Sequence, residues 1–401
     1  MQPEQEHIIM KKLKIGLLAR IIIAIALGIG FGNILPGGLV RVFVPFNGIF
    51  SEFLGFIIPL IILGLVTPAI ADIGKEAGKM LVITTLVAYS ATLFSGFLSY
   101  FTGVTFFPSM ISPGAPIEQI SEAHDVFPFF TVAIPPVMNV MTSLILAFTL
   151  GLGIAHLESA ALKNVCNDFK DIIVKTIQTV ILPLLPIYIF GIFLNMTHSG
   201  QVYNILMVFI KIIGVIFLLH IFLLVFQYSI AALFVRRNPF KLLGRMMPAY
   251  FTALGTQSSA ATIPVTLRQS VKNGVTEDIA GFVIPLCATI HLSGSTLKIV
   301  ACALALMIMQ GMPFDFPMFA GFIFMLGITM VAAPGVPGGA IMAALGILSS
   351  MLGFGESEQA LMIALYIAMD SFGTACNVTG DGAIALIIDK FFGKKDLRPI
   401  Q

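Results

Sequence analysis

Gly255-Thr256-Gln257-Ser258-Ser259-Ala260-Ala261-Thr262 lies between two apolar arms within 241–270, and it reads as the tip of a hairpin, not as the interior of a helix. A run of small and polar residues offers a helix no apolar stripe to bury. A second segment, 317–352, repeats the design around Ala333-Pro334-Gly335-Val336-Pro337-Gly338-Gly339. Proline lacks the amide a helix needs and glycine pays the most entropy to join one, so this centre also stops its arms. Non-helical backbone at membrane depth is tolerated only inside protein or beside a water-filled cavity, so both tips are expected to line a site.

The surroundings of these tips are written for lipid. Of 401 residues, 58% are hydrophobic and 10% charged, and the net charge is +2. That is far from the make-up of a soluble domain. Apolar runs of the length that crosses a bilayer, about 20 residues, recur along the chain and leave no room for a soluble catalytic domain. Full spans are expected near 15–34, 44–71, 79–103, 138–157, 171–196 and 202–235, with two interrupted spans later. The first, following Lys11, Lys12 and Lys14, lacks a cleavage site and reads as a transmembrane helix, not a signal peptide. Cys166, Cys287, Cys302 and Cys376 have no metal-ligand spacing and read as reduced and structural. No nucleic-acid-binding patch is visible.

Charge placement sets the orientation. Lys75, Lys79, Lys163, Lys170, Arg236, Arg237, Lys241, Arg245, Lys390, Lys394 and Lys395 fall on one side, the expected cytoplasm, which holds both termini. The opposite connection 104–137 carries Glu118, Glu122 and Asp125 without Lys or Arg. The count closes when 241–270 enters and leaves from the cytoplasm and 317–352 from outside. Each hairpin precedes an apolar segment with a polar interruption, His291-Leu292-Ser293-Gly294-Ser295 and Asn377-Val378-Thr379-Gly380-Asp381-Gly382. Two hairpins with two broken helices, entering from opposite sides, form an inverted repeat of the kind transporters use. The expected location is the inner or plasma membrane.

Three stretches carry a family resemblance: Ser258-Ser259-Ala260-Ala261-Thr262-Ile263-Pro264, Gly335-Val336-Pro337-Gly338, and Asp370-Ser371-Phe372-Gly373-Thr374-Ala375-Cys376-Asn377-Val378-Thr379-Gly380-Asp381. Together they resemble the dicarboxylate/amino acid:cation symporters, which include archaeal aspartate transporters and excitatory amino acid transporters. The resemblance implies an all-α polytopic protein with eight transmembrane helices, two re-entrant hairpins and a homotrimeric assembly. It implies one integral-membrane domain over 1–401, with a scaffold mainly of 13–72 and 138–200. The elements that move against it would be 79–103 and 202–393.

Asp370 is a lone carboxylate in an apolar segment, costly to bury without a partner and therefore a functional candidate. Its expected partner is a substrate ammonium; the alternative is a structural carboxylate satisfied by helix and hairpin donors. Thr374 and Asn377, four and seven residues on, share its helical face and are expected at the substrate. By the resemblance, Ser258, Ser259, Val336 and Gly338 complete the substrate site from the two tips. Asp381, with Asn377, is where the resemblance implies a sodium ion, which is the one ion expected beside the transported solute.

Departures from the family pattern refine this. Gly373 and Gln257 stand where acidic-substrate members place arginines, so no guanidinium faces a second carboxylate. A small neutral amino acid is the expected substrate, and a dicarboxylate or acidic amino acid the alternative. His291, Leu292 and Ser293 replace asparagine, methionine and aspartate, and Thr85, Ala88 and Tyr89 line the adjoining site with few oxygens. Sodium dependence is therefore expected to be reduced. Lys298 is new in the same stretch, and it either replaces an ion near Asp381 or extends to the extracellular interface. His291 either carries a coupling proton or hydrogen-bonds within the break. An intramembrane hydrolase built on His291 and Ser293 is disfavoured, since residues two apart do not face each other on a helix.

Overall fold

The computed structural model describes residues 16–75, 79–111, 128–157, 160–200, 202–331, 333 and 337–393, and every regular element among them is helical. Among the described residues, six helical stretches are long and apolar enough to cross a membrane: Gly37–Ala71, Lys79–Met110, Ala160–His198, Ile205–Val235, Glu277–Met309 and Asp370–Phe392. Leu17–Gly32 and Thr142–Leu157 are apolar but shorter. In the third of the long stretches the ladder opens into a π turn at Ile177–Ile181, just before Pro183, which has no amide to donate.

Neighbouring helices sort into two groups. Leu17–Gly32 runs along Leu182–His198, and Phe43–Lys75 packs on Val140–Leu157 and Ala160–Thr176. Lys79–Met110 instead lies on Ser293–Met309, every residue of which is buried. The last helix, Asp370–Phe392, is surrounded by Val202–Val235, Pro239–Thr256, Ser259–Lys272, Glu277–Ile290 and Ser293–Met309. The polar residues of this helix can sit in an apolar protein because its neighbours, and not lipid, are their solvent.

The first expected hairpin is a helix-turn-helix. Asn238 caps Pro239–Thr256 by accepting from the amides of Phe240 and Lys241, and Pro239 sits at the first helical position, where its missing amide costs nothing. The helix stops at Gln257, whose φ of 53° is left-handed, and Ser258 caps the returning helix Ser259–Lys272 through Ala261 N–H. The second pair is Phe316–Val331 and Gly339–Leu352, the latter starting after left-handed Gly338. Of its tip, Ala333, Pro337, Gly338 and Gly339 are described; Val336 lies outside the described residues, as do Glu118, Glu122 and Asp125.

One interruption falls where the sequence puts it, and one does not. Glu277–Ile290 ends at His291 and Ser293–Met309 begins two residues later. The last helix, by contrast, runs unbroken through Asn377–Gly382 and is interrupted earlier, at Met369, between Glu356–Ala368 and Asp370–Phe392. The glycines that suggested unwinding serve close packing. A Cβ on Gly380 would lie 2.6 Å from Gln227 Oε1 and 2.8 Å from His291 Cε1, and one on Gly382 would lie 2.7 Å from both the Tyr228 hydroxyl and Met246 Cε.

Candidate functional site

Asp370, Thr374, Asn377 and Asp381 sit at steps of four, three and four residues, which align them on one face of the last helix. All four are buried, as are Ser259 and Ser371. That face meets the broken helix in three antiparallel rungs. At one end His291 Nδ1 lies 2.9 Å from Asp381 Oδ1. In the middle Asn377 Oδ1 accepts from the amides of Gly294 at 2.8 Å and Ser295 at 3.3 Å, while its Nδ2 donates to Ser295 Oγ at 3.1 Å. At the other end Lys298 Nζ donates to Asp370 Oδ1 at 3.1 Å. The helices can touch because Gly294 has no side chain: a Cβ there would lie 2.7 Å from Cys376 Cβ and 2.8 Å from the Gly373 carbonyl.

Each rung has a physical reason. Asn377 fills the amides that the start of Ser293–Met309 leaves unpaired. Lys298 is wholly buried and cannot reach an interface, so its charge is held inside by Asp370, by the carbonyls of Tyr366 and Met369 at 3.4 Å each, and by the Tyr366 ring, whose centroid is 3.4 Å away. These carbonyls close the helix that ends at Ala368, where the backbone dipole favours a cation. The expectation that put Lys298 beside Asp381 fails because His291 already holds that carboxylate. Gln227 Nε2 continues the His291 rung, 3.4 Å from His291 Nε2 and 3.3 Å from Ser293 Oγ.

Both helix-turn-helix tips converge at the start of the last helix. Gln257 Nε2 donates to Ser371 Oγ at 2.8 Å, which brings Ser258 and Ser259 to this end. Gly338 N–H donates to Asp370 Oδ2 at 2.8 Å. Asp370 is thus engaged through both oxygens by the chain itself, the arrangement that the sequence offered as the alternative to a substrate ammonium.

The polar residues of Val202–Val235 escaped the sequence reading. His220 Nε2 lies 3.0 Å from the Gly294 carbonyl, Gln227 reaches His291, and the Tyr228 hydroxyl donates to the Thr379 carbonyl at 2.7 Å. The seven-residue step from His220 to Gln227, along the otherwise apolar run 212–226, was a legible sign of a shared inward face. Tyr366, four residues before Asp370, was also missed; its hydroxyl is 3.0 Å from Ser295 Oγ.

A family model described as the sodium:dicarboxylate symporter family matches residues 17–391. The chain belongs to this family. It is therefore a transporter, not an enzyme, and a multi-pass membrane protein. Among its relatives, the serine/threonine transporter SstT of Acinetobacter baylyi is 27% identical over 94% of this chain and 98% of its own length. Excitatory amino acid transporter 1 of Bos taurus is 26% identical over 70% of this chain and 54% of its own length. Neutral amino acid transporter B(0) of Rattus norvegicus is 29% identical over 40% of this chain and 29% of its own length. Sodium is the ion in the family's description, and the oxygens around Asp381 are only partly engaged: His291 occupies Asp381 Oδ1 and Tyr228 donates to the Thr379 carbonyl, while Gln227 Oε1 and Thr379 Oγ1 are buried without a hydrogen-bond partner.

Proposed function

We propose that this symporter is an elevator-type secondary active transporter of a small solute bearing one carboxylate, cation-coupled but with reduced or altered sodium dependence. The observation that carries this reading is the convergence of Gln257 and Gly338, from two separate helix-turn-helix tips, on Ser371 and Asp370. In it, 241–270 and 317–352 act as re-entrant hairpins, and Ser258, Ser259, Val336, Gly338, Asp370, Thr374 and Asn377 surround the solute. The start of Ser259–Lys272 offers amides suited to a carboxylate. Eight spans, a homotrimer, a scaffold of 13–72 and 138–200, and cytoplasmic termini in an inner or plasma membrane belong to the same reading.

A second carboxylate is disfavoured by Gly373, which leaves the last helix without a guanidinium there. Small neutral amino acids and amine-free acids of similar size both satisfy this limit. The serine/threonine and B(0) relatives are named for neutral amino acids. The test is counterflow in proteoliposomes: internal solute should drive uptake of the same labelled solute in the absence of any ion gradient. Succinate or aspartate exchanging faster than single-carboxylate solutes would overturn the reading.

A further inference from the structure

The carboxylate that a substrate ammonium would have to reach is already taken. Asp370 Oδ1 holds Lys298 Nζ at 3.1 Å, and Oδ2 accepts Gly338 N–H at 2.8 Å. Around Nζ stand one carboxylate, two carbonyls from a helix C-terminus and an aromatic face. This set is what recognises a primary ammonium in general: hydrogen-bond acceptors, a negative helix end and a ring quadrupole. Nothing about Lys298 suggests a chain end that swings away, since it is wholly buried and its Nζ fills the space beside Gly373.

We infer that Lys298 is a built-in substitute for the ammonium of an amino acid, and that the transported solute is a small monocarboxylate without an amino group, such as a 2-hydroxy or 2-oxo acid. The inference deepens the proposed function and rests on its single-carboxylate site. A solute ammonium would have to share Asp370 with Lys298, placing two cations on one carboxylate in a buried setting, or displace Lys298 and leave its charge unpaired. A solute hydroxyl or carbonyl carries no such conflict. Nor is the lysine free for a second solute carboxylate, because its Nζ already donates to Asp370 and to the carbonyls of Tyr366 and Met369.

The experiment compares isosteres in proteoliposomes containing the full chain: L-lactate against L-alanine, and glycerate against L-serine. The hydroxy acid of each pair should compete in counterflow at a concentration at least about tenfold lower than its amine. Lys298→Met frees Asp370 and should narrow or reverse that preference. Alanine or serine competing as well as its hydroxy acid in the wild type overturns the inference and leaves the transporter reading standing. Exchange of neither pair, nor of pyruvate, takes down the single-carboxylate reading as well. Because the wild-type comparison decides by itself, the outcome does not hang on the folding of the variant.

Discussion

Gly373 and Lys298 share one space: a Cβ on Gly373 would lie 2.8 Å from Lys298 Nζ and 2.9 Å from its Cε. The ammonium is pinned by Asp370 and cannot retreat without breaking that bond. Gly373→Ala should therefore destabilise the protein by about 1–3 kcal/mol, the scale of overpacking a buried site. Gly373→Arg should do worse, because it adds a cation beside the buried ammonium, and Lys298→Leu in the same chain should recover part of the loss. Thermal unfolding in detergent reads all three. A Gly373→Arg protein as stable as the wild type would show that the two residues do not compete.

The Lys298 and Asp370 pair should be strongly coupled. Removing one partner of a buried ion pair costs about 3–5 kcal/mol, since the other charge is left without compensation. Lys298→Met and Asp370→Asn should each lower the unfolding temperature, and the double variant should lose less than the sum of the two. Additive losses would exclude the pairing.

His291 opposite Asp381 predicts weak sodium dependence. Substrate affinity measured across a wide sodium range at constant ionic strength should change little. His291→Asn together with Ser293→Asp replaces an imidazole donor with oxygens and should introduce a sodium requirement. A wild-type dependence of two or more sodium ions per substrate contradicts the reading.

The Gln257 to Ser371 bond should govern how readily the first tip leaves the last helix. Ser371→Ala removes one hydrogen bond, a net contribution of about 0.5–1.5 kcal/mol. Modification of Ser258→Cys by a membrane-impermeant maleimide should then quicken by roughly twofold to twelvefold, which is that energy expressed as an opening equilibrium. An unchanged rate would mean that the tip is held elsewhere.

Much of this was legible because chemical contrast marks it. His291-Leu292-Ser293 stands out in an apolar run and does break the helix; the Ser258 turn is visible for the same reason. The second break was misjudged because glycine has two uses. Gly380 and Gly382 admit Gln227, Tyr228 and Met246, and those neighbours come from far along the chain. The partners of Lys298 and His291 were open for a related reason. Asp370 and Asp381 occupy one helical face, and sequence alone does not say which end of that face meets which residue. The direction of crossing decides it, and antiparallel packing gives Asp370 to Lys298 and Asp381 to His291.

The internal ion pair also has an electrical consequence. Moving one elementary charge through the membrane field involves about 2.3 kcal/mol per 100 mV. In the proposed elevator mechanism, a carrier with a bare Asp370 would carry that charge on every return without cargo. Lys298 cancels it inside the protein, so the returning carrier draws no voltage dependence from this pair. Current measured during exchange should then report on the cargo and its companion ion, with Asp370 electrically silent.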